Sequence, residues 1–149
     1  MDCNLTIIDH LINCRYSPGR ENLGTPVGIV LRDMTLPLGQ YLLTPTTKVE
    51  RSYPLSYPKS VHFAVSGDGS TYRLVDVNDT AWGLDRYLNT NVPGIPVTTD
   101  PSTPWVFVGI DNEDGGPCTV STGQLDSLVS LICCLCRDFG IAPSESGLS

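Results

Sequence analysis

"SVHFAVSGDGSTYRLVDVNDTAW", residues 60–82, is the stretch whose reading decides the fold. Val61, Phe63 and Val65 alternate with His62, Ala64 and Ser66, the period of two that sends successive side chains to opposite faces of a strand. "SGDGS" supplies the glycines of a tight reversal and "TYRLVDV" returns as a partner strand, so the stretch predicts a β-hairpin.

Working outward, "VGIVL" at 27–31 and "WVFVGID" at 105–111 are apolar without alternation, as expected of central strands covered on both faces. In "STGQLDSLVSLICCLCRDFG", residues 121–140, Ser121 and Gln124 form a capping-box pattern. Leu125, Leu128, Val129, Ile132, Leu135, Cys136 and Phe139 then recur at helical spacing, which predicts a helix with that stripe on the sheet. "LTIIDHLI" at 5–12 is a short apolar stretch, followed by a Gly- and Pro-punctuated loop. Between Pro37 and Pro45 only a short helix around Leu38–Leu43 fits, and residues 84–104, with four prolines, read as an irregular surface loop. The order predicts an α/β fold, a mixed central sheet flanked by helices in one domain over 1–149. The polar end "APSESGLS" reads as a mobile terminus.

With 149 residues the chain suits one core, burying roughly two thirds of its unfolded surface. Nine scattered Lys and Arg against sixteen Asp and Glu, a net charge of −7, argue against a nucleic-acid partner. No apolar run reaches the roughly 18 residues of a membrane span, and the N-terminus lacks the pattern of a signal peptide, so folding in a cytosol is expected. Cys133, Cys134 and Cys136 are neighbours on the predicted helix and cannot pair with one another without breaking it. The six cysteines are therefore expected to pack as reduced thiols, and C-C-x-C is not the spacing of a zinc ribbon.

In this order, "VGIVLRDM", the hairpin through "TAW", "VGIDNED" and the Ser121–Gln124 helix resemble the type 2 N-acetylmuramoyl-L-alanine amidases, a family that includes peptidoglycan recognition proteins and phage amidases. The resemblance spans roughly residues 12–141 and implies the amidase fold. It also implies a zinc site, with a histidine at the end of the first matched strand, a second after the long helix and a third side chain near the C-terminus. Arg32 stands in the first of these slots, and a guanidinium, with donors only, cannot ligate a cation. Asp33 follows it, with its side chain on the other face if the strand continues. No histidine occurs beyond His62, and Leu148 stands beside Gly147 where a glycine-histidine segment would come.

Where many members carry a glutamate after I-G-I, this sequence has Asp111. Arg32 and Asp111 are thus expected to pair, the fixed cation replacing the metal's charge, the alternative being that each is solvated independently. His62 matches a hairpin position that is not usually a ligand and is expected to hold a hydrogen-bonded place in the sheet. His10 precedes the match and has no partner at ligand spacing. Trp82 either lines the former groove or packs under the loop that follows, and Gly83 replaces a histidine common in the family. Trp105 reads as core or interface, and "DNEDGG", 111–116, as a solvated turn without an EF-hand's ligand order.

The candidate groove residues are therefore Arg32, Asp33, His62, Trp82 and Asp111, with no catalytic set, metal or cofactor. The expected function is an amidase-like domain without activity, placed as a structural part of a phage tail or baseplate. It would be located in the virion if phage-encoded and in the cytoplasm otherwise, with other virion proteins or its own copies as partners and peptidoglycan or glycan as a further possible ligand. The alternative is an active zinc-dependent amidase that cleaves the bond between muramic acid and L-alanine.

Overall fold

The computed structural model describes residues 5–12, 16–21, 23–34, 60–83, 98, 100–111 and 120–141. The predicted hairpin forms: β4 (Phe63–Val65) and β5 (Thr71–Arg73) pair antiparallel, with Phe63 opposite Arg73 and Val65 opposite Thr71. At its turn Gly69 takes φ 88°, a left-handed conformation that glycine adopts without strain. A Cβ there would also lie 2.9 Å from the Gly123 carbonyl oxygen, so the same glycine lets a helix approach the turn.

Around this hairpin β1 (Ile7–Asp9), β3 (Gly28–Asp33) and β7 (Trp105–Ile110) complete a mixed five-stranded sheet in the order β1-β5-β4-β7-β3. β3, β7 and β4 run parallel to one another, and β1 runs parallel to β5. The apolar stretch near the N-terminus is thus an edge strand, with Asp9 ion-paired to Arg73 at 2.6 Å. β2 (Tyr16–Ser17) and β6 (Thr80–Ala81) form a small antiparallel ribbon.

The helix α1 (Thr122–Phe139) starts at a capping box in which Ser121 and Gln124 satisfy each other's main chain, and it ends at Gly140 with φ 66°. Ser121 Oγ donates to the Gly67 carbonyl at 2.7 Å and Ser127 Oγ to that of Gly69, docking the helix start on the hairpin turn. The buried stripe is rotated from the predicted one: Gln124, Leu128, Leu131 and Leu135 face inward, while Leu125 and Val129 are 54% and 53% exposed. The cause is a polar residue. Gln124 Nε2 donates to the carbonyls of Val65 (2.9 Å) and Asp111 (3.0 Å), which draws that side of the helix onto the ends of β4 and β7.

Apolar side chains pack on both faces of the sheet. Under α1 lie Ile29, Phe63, Val65, Val106 and Val108, and on the opposite face Ala64, Leu74, Trp105 and Phe107. Val61 belongs to this second cluster, because regular pairing begins only at Phe63. Trp105, 6% exposed, is core and offers no contact surface. Pro101–Pro104, predicted as surface loop, are buried turn residues. The predicted segments 38–43 and 84–97, the turn 112–116 and the terminus 142–149 lie outside the described residues.

The expectation of reduced thiols is corrected at one position. Cys134 is disulfide-bonded, while Cys133 and Cys136 are free. The three helix cysteines do not pair with one another, as their spacing requires, and Cys134 bonds outside the helix trio.

Candidate functional site

The parallel strands β3, β4 and β7 end together, and the candidate residues distribute around that end. β3 continues through Asp33, so Arg32 shares with Val30 and Met34 the face away from α1, while Asp33 lies exposed on the other. Arg32 is level with Gly109 of β7, and Met34 folds over that glycine, where a Cβ would lie 2.6 Å from Met34 Cγ.

The guanidinium of Arg32 does not pair with Asp111. Its Nη1 donates to the Gly83 carbonyl, joining β3 to the segment that follows β6. Asp111, 6% exposed, is held through its main chain: its N–H donates to Val65 and its carbonyl accepts from Gln124. The predicted coincidence of cation and anion fails because the main-chain carbonyl of Gly83 takes the guanidinium.

Gly83 has its own reason to be glycine. A Cβ there would fall 2.3 Å from the Phe107 ring, so Phe107 covers the main chain where the resemblance places a histidine. Trp82, half-buried, donates from its indole N–H to Ser17 Oγ at 3.0 Å. Its main chain exchanges bonds with Ser60, N–H to Ser60 Oγ at 2.9 Å and carbonyl from Ser60 N–H at 2.8 Å. This indole is tied to the ribbon strand β2.

His62 lies deeper. It is fully buried, stacked on Phe107 with ring centroids 6.1 Å apart, and it accepts the Phe107 N–H on Nδ1 at 3.0 Å. That bond puts the proton on Nε2, which donates to the Asp79 carbonyl at 2.8 Å. Arg20 Nη2 sits 3.1 Å from the same Nε2, donor facing donor, and so opposes a second proton on the ring. Burial first, and Arg20 second, bring His62 down to about 3, while its bond to Asp79 works the other way.

Arg20 was not legible as a site residue. It is 3% exposed and spends its donors on the carbonyls of Val77 (2.7 Å), Thr103 (2.6 Å) and Trp105 (3.0 Å). Burial lowers its guanidinium to about 10, partly offset by Asp79. Asp79 Oδ1 accepts the Gly19 N–H at 2.9 Å, and Thr80 Oγ1 donates to the Gly19 carbonyl at 2.6 Å, so the loop is pinned beside the charge it carries.

Of the five candidates, Arg32 and Trp82 meet at the segment 82–83. His62 lies beneath them across Phe107, Asp111 is drawn to the helix start, and Asp33 faces away. A zinc ion does not fit this set. Both ring nitrogens of His62 are engaged, with a guanidinium beside them. His10, the other histidine in the chain, follows edge strand β1, four strands or roughly 19 Å across the sheet from β3. Among the described residues no three His, Cys, Asp or Glu side chains are grouped to hold a metal.

The family profile described as N-acetylmuramoyl-L-alanine amidase (Amidase_2) matches residues 24–147. The chain belongs to this family. Among solved structures it is similar to a selenomethionine AmpD derivative, at 16% identity and a TM-score of 0.63 over 93% of this chain and 84% of that one. It is also similar to the N-acetylmuramoyl-L-alanine amidase LysC from Clostridium intestinale URNW, at 19% identity and a TM-score of 0.53 over 91% and 78%. A third is the Ph2119 endolysin from Thermus scotoductus MAT2119 bacteriophage Ph2119, at 14% identity and a TM-score of 0.51 over 92% and 82%. No curated protein matches the sequence.

The amidase match begins at residue 24, later than the resemblance suggested, and runs on to 147. Arg20 and the strands β1 and β2 therefore precede the matched part, yet Arg20 packs against His62 of the matched hairpin. No described helix is long and apolar enough to cross a membrane.

Proposed function

We propose that this chain is a non-hydrolysing member of the amidase family, acting as a structural part of a phage tail or baseplate with a groove left for peptidoglycan or glycan. The observation that carries the loss of hydrolysis is Arg32. A permanent cation stands at the slot of the first zinc ligand and is engaged by the Gly83 carbonyl, so the polarising ion of a metal hydrolase has no seat there. Assembly, with other virion proteins or further copies, is supported by apolar side chains left open on α1 and on two edge strands. Leu125 and Val129 lie one turn apart on the helix, Ile8 is 42% exposed on β1 and Leu31 is 40% exposed on β3.

The competing reading, an active zinc-dependent peptidoglycan amidase, is favoured by the family match alone. Zinc analysis of the purified chain with a cell-wall clearing assay separates the two. The proposal expects substoichiometric zinc and no clearing, and stoichiometric zinc with clearing would restore the enzyme. Sedimentation with purified peptidoglycan then reports on the groove, and detection of the chain in purified virions reports on assembly.

A further inference from the structure

We propose that two copies of this chain pair through α1, helix on helix and antiparallel. The inference rests on the assembly part of the proposed function and names the surface and its occupant, a second copy.

α1 carries two apolar stripes where a surface helix needs one. Leu128, Leu131 and Leu135 pack on the sheet. Leu125, Val129 and Cys133, spaced four residues apart, form a second stripe, exposed along about 12 Å of the helix. Ten of the eighteen helix residues are apolar or cysteine, and a helix apolar on both sides is ordinarily covered on both.

The charges select the occupant and its direction. On the outer side Asp126 stands near the helix start and Arg137, its side chain 60% exposed, near the end. A parallel pair would set each charge against its own kind. An antiparallel pair about a two-fold axis at Val129 instead places Leu125 opposite Cys133 of the other copy. Helical side chains lean toward their own N-terminus, so Arg137 reaches back to the level of Cys133 and meets Asp126 of the other copy. Arg137 also touches Asp138 of its own helix at 3.5 Å, and a guanidinium accommodates more than one acceptor. Ser130, exposed beside Val129, is small enough for the two axes to approach to the roughly 8–10 Å of packed helices.

One helix pair lies at the small end of interface sizes, so a micromolar association is expected, and sedimentation equilibrium of the full chain over roughly 5–200 µM tests it. The expected result is a monomer–dimer equilibrium that Leu125→Glu weakens at least about tenfold, with the far-UV CD spectrum and melting temperature unchanged. Asp126→Arg should also weaken pairing, and Asp126→Arg combined with Arg137→Asp should restore it. Leu125→Cys reads the direction: under oxidised glutathione, peptide maps should show position 125 linked to Cys133 of the other copy. A chain monomeric over the whole range, a dimer indifferent to Leu125→Glu, or a link from position 125 to itself would overturn the proposal. So would a monomeric chain bound in virions through this face, which would make another protein the occupant. A dimer with the expected link in a chain absent from virions would uphold the pairing and remove only the tail role.

Discussion

The molecule holds two arginines that differ in almost everything except charge. Arg20 is sealed in the interior and satisfied by three carbonyls from two distant segments, with His62 beneath it. Arg32 is half-buried at the strand ends, with one carbonyl partner from Gly83. A buried ion costs several kcal/mol to desolvate and is tolerated only where its donors are matched, so the surroundings of Arg20 must be built around it. The half-open guanidinium of Arg32 stays in partial contact with water, and its surroundings depend on it much less. The first arginine organises the fold, and the second carries the proposed loss of hydrolysis at the strand ends.

The largest effect is expected at Arg20. Replacing it with Met leaves the carbonyls of Val77, Thr103 and Trp105 without their donor, and Arg20→Met should cost about 3–5 kcal/mol by urea denaturation. A loss under about 1 kcal/mol would mean that water or other groups replace it, and the contrast between the two arginines would collapse.

His62 comes next, through pH. Its value in the folded protein, about 3, lies below the ordinary 6.5, so the unfolded chain binds the extra proton throughout that interval. Stability from the neutral ring is full above pH 6.5 and drains as pH falls toward 3, by about 1.4 kcal/mol per pH unit. Between pH 7 and pH 5 this amounts to about 2 kcal/mol. His62→Gln keeps a donor and an acceptor but does not titrate, so its loss over the same interval should be smaller by about that amount. Parallel profiles for the two proteins would show that His62 gains its proton without cost.

How much of this was readable in the sequence follows from the range of each interaction. The hairpin announced itself through alternation and glycines, and α1 through its cap, because both signals are written within a few neighbouring residues. The helix face is not legible locally, because the sequence shows Gln124 as a cap while its amide also reaches two carbonyls on the sheet. Arg20 gave no signal at all: it stands in a Gly- and Pro-rich loop, and its partners come from residues more than fifty positions away. The partner of Arg32 was not legible, since nothing local says that the Gly83 carbonyl will lie within reach.

Gly83 gives a third, smaller effect that sharpens the comparison at the strand ends. A methyl group there would press on the Phe107 ring at 2.3 Å, and Gly83→Ala should cost about 1–3 kcal/mol in thermal or chemical unfolding. A neutral result would show that Phe107 can swing aside. The glycine would then not account for the absence of a larger residue at that position.

The smallest effect belongs to Arg32. With one carbonyl partner and partial exposure, Arg32→Met should lower stability by less than about 1 kcal/mol in the same denaturation experiment. Its informative companion is Arg32→His, which places an imidazole at the slot that the resemblance gives to the first ligand. A single imidazole does not make a zinc site. His62 has both nitrogens committed and His10 stands at the far edge of the sheet, so the variant should retain no stoichiometric zinc after dialysis. If it did retain zinc, the remaining ligands would have been present all along and Arg32 alone would have been keeping the metal out, which would turn a rebuilt fold into an enzyme one substitution from activity.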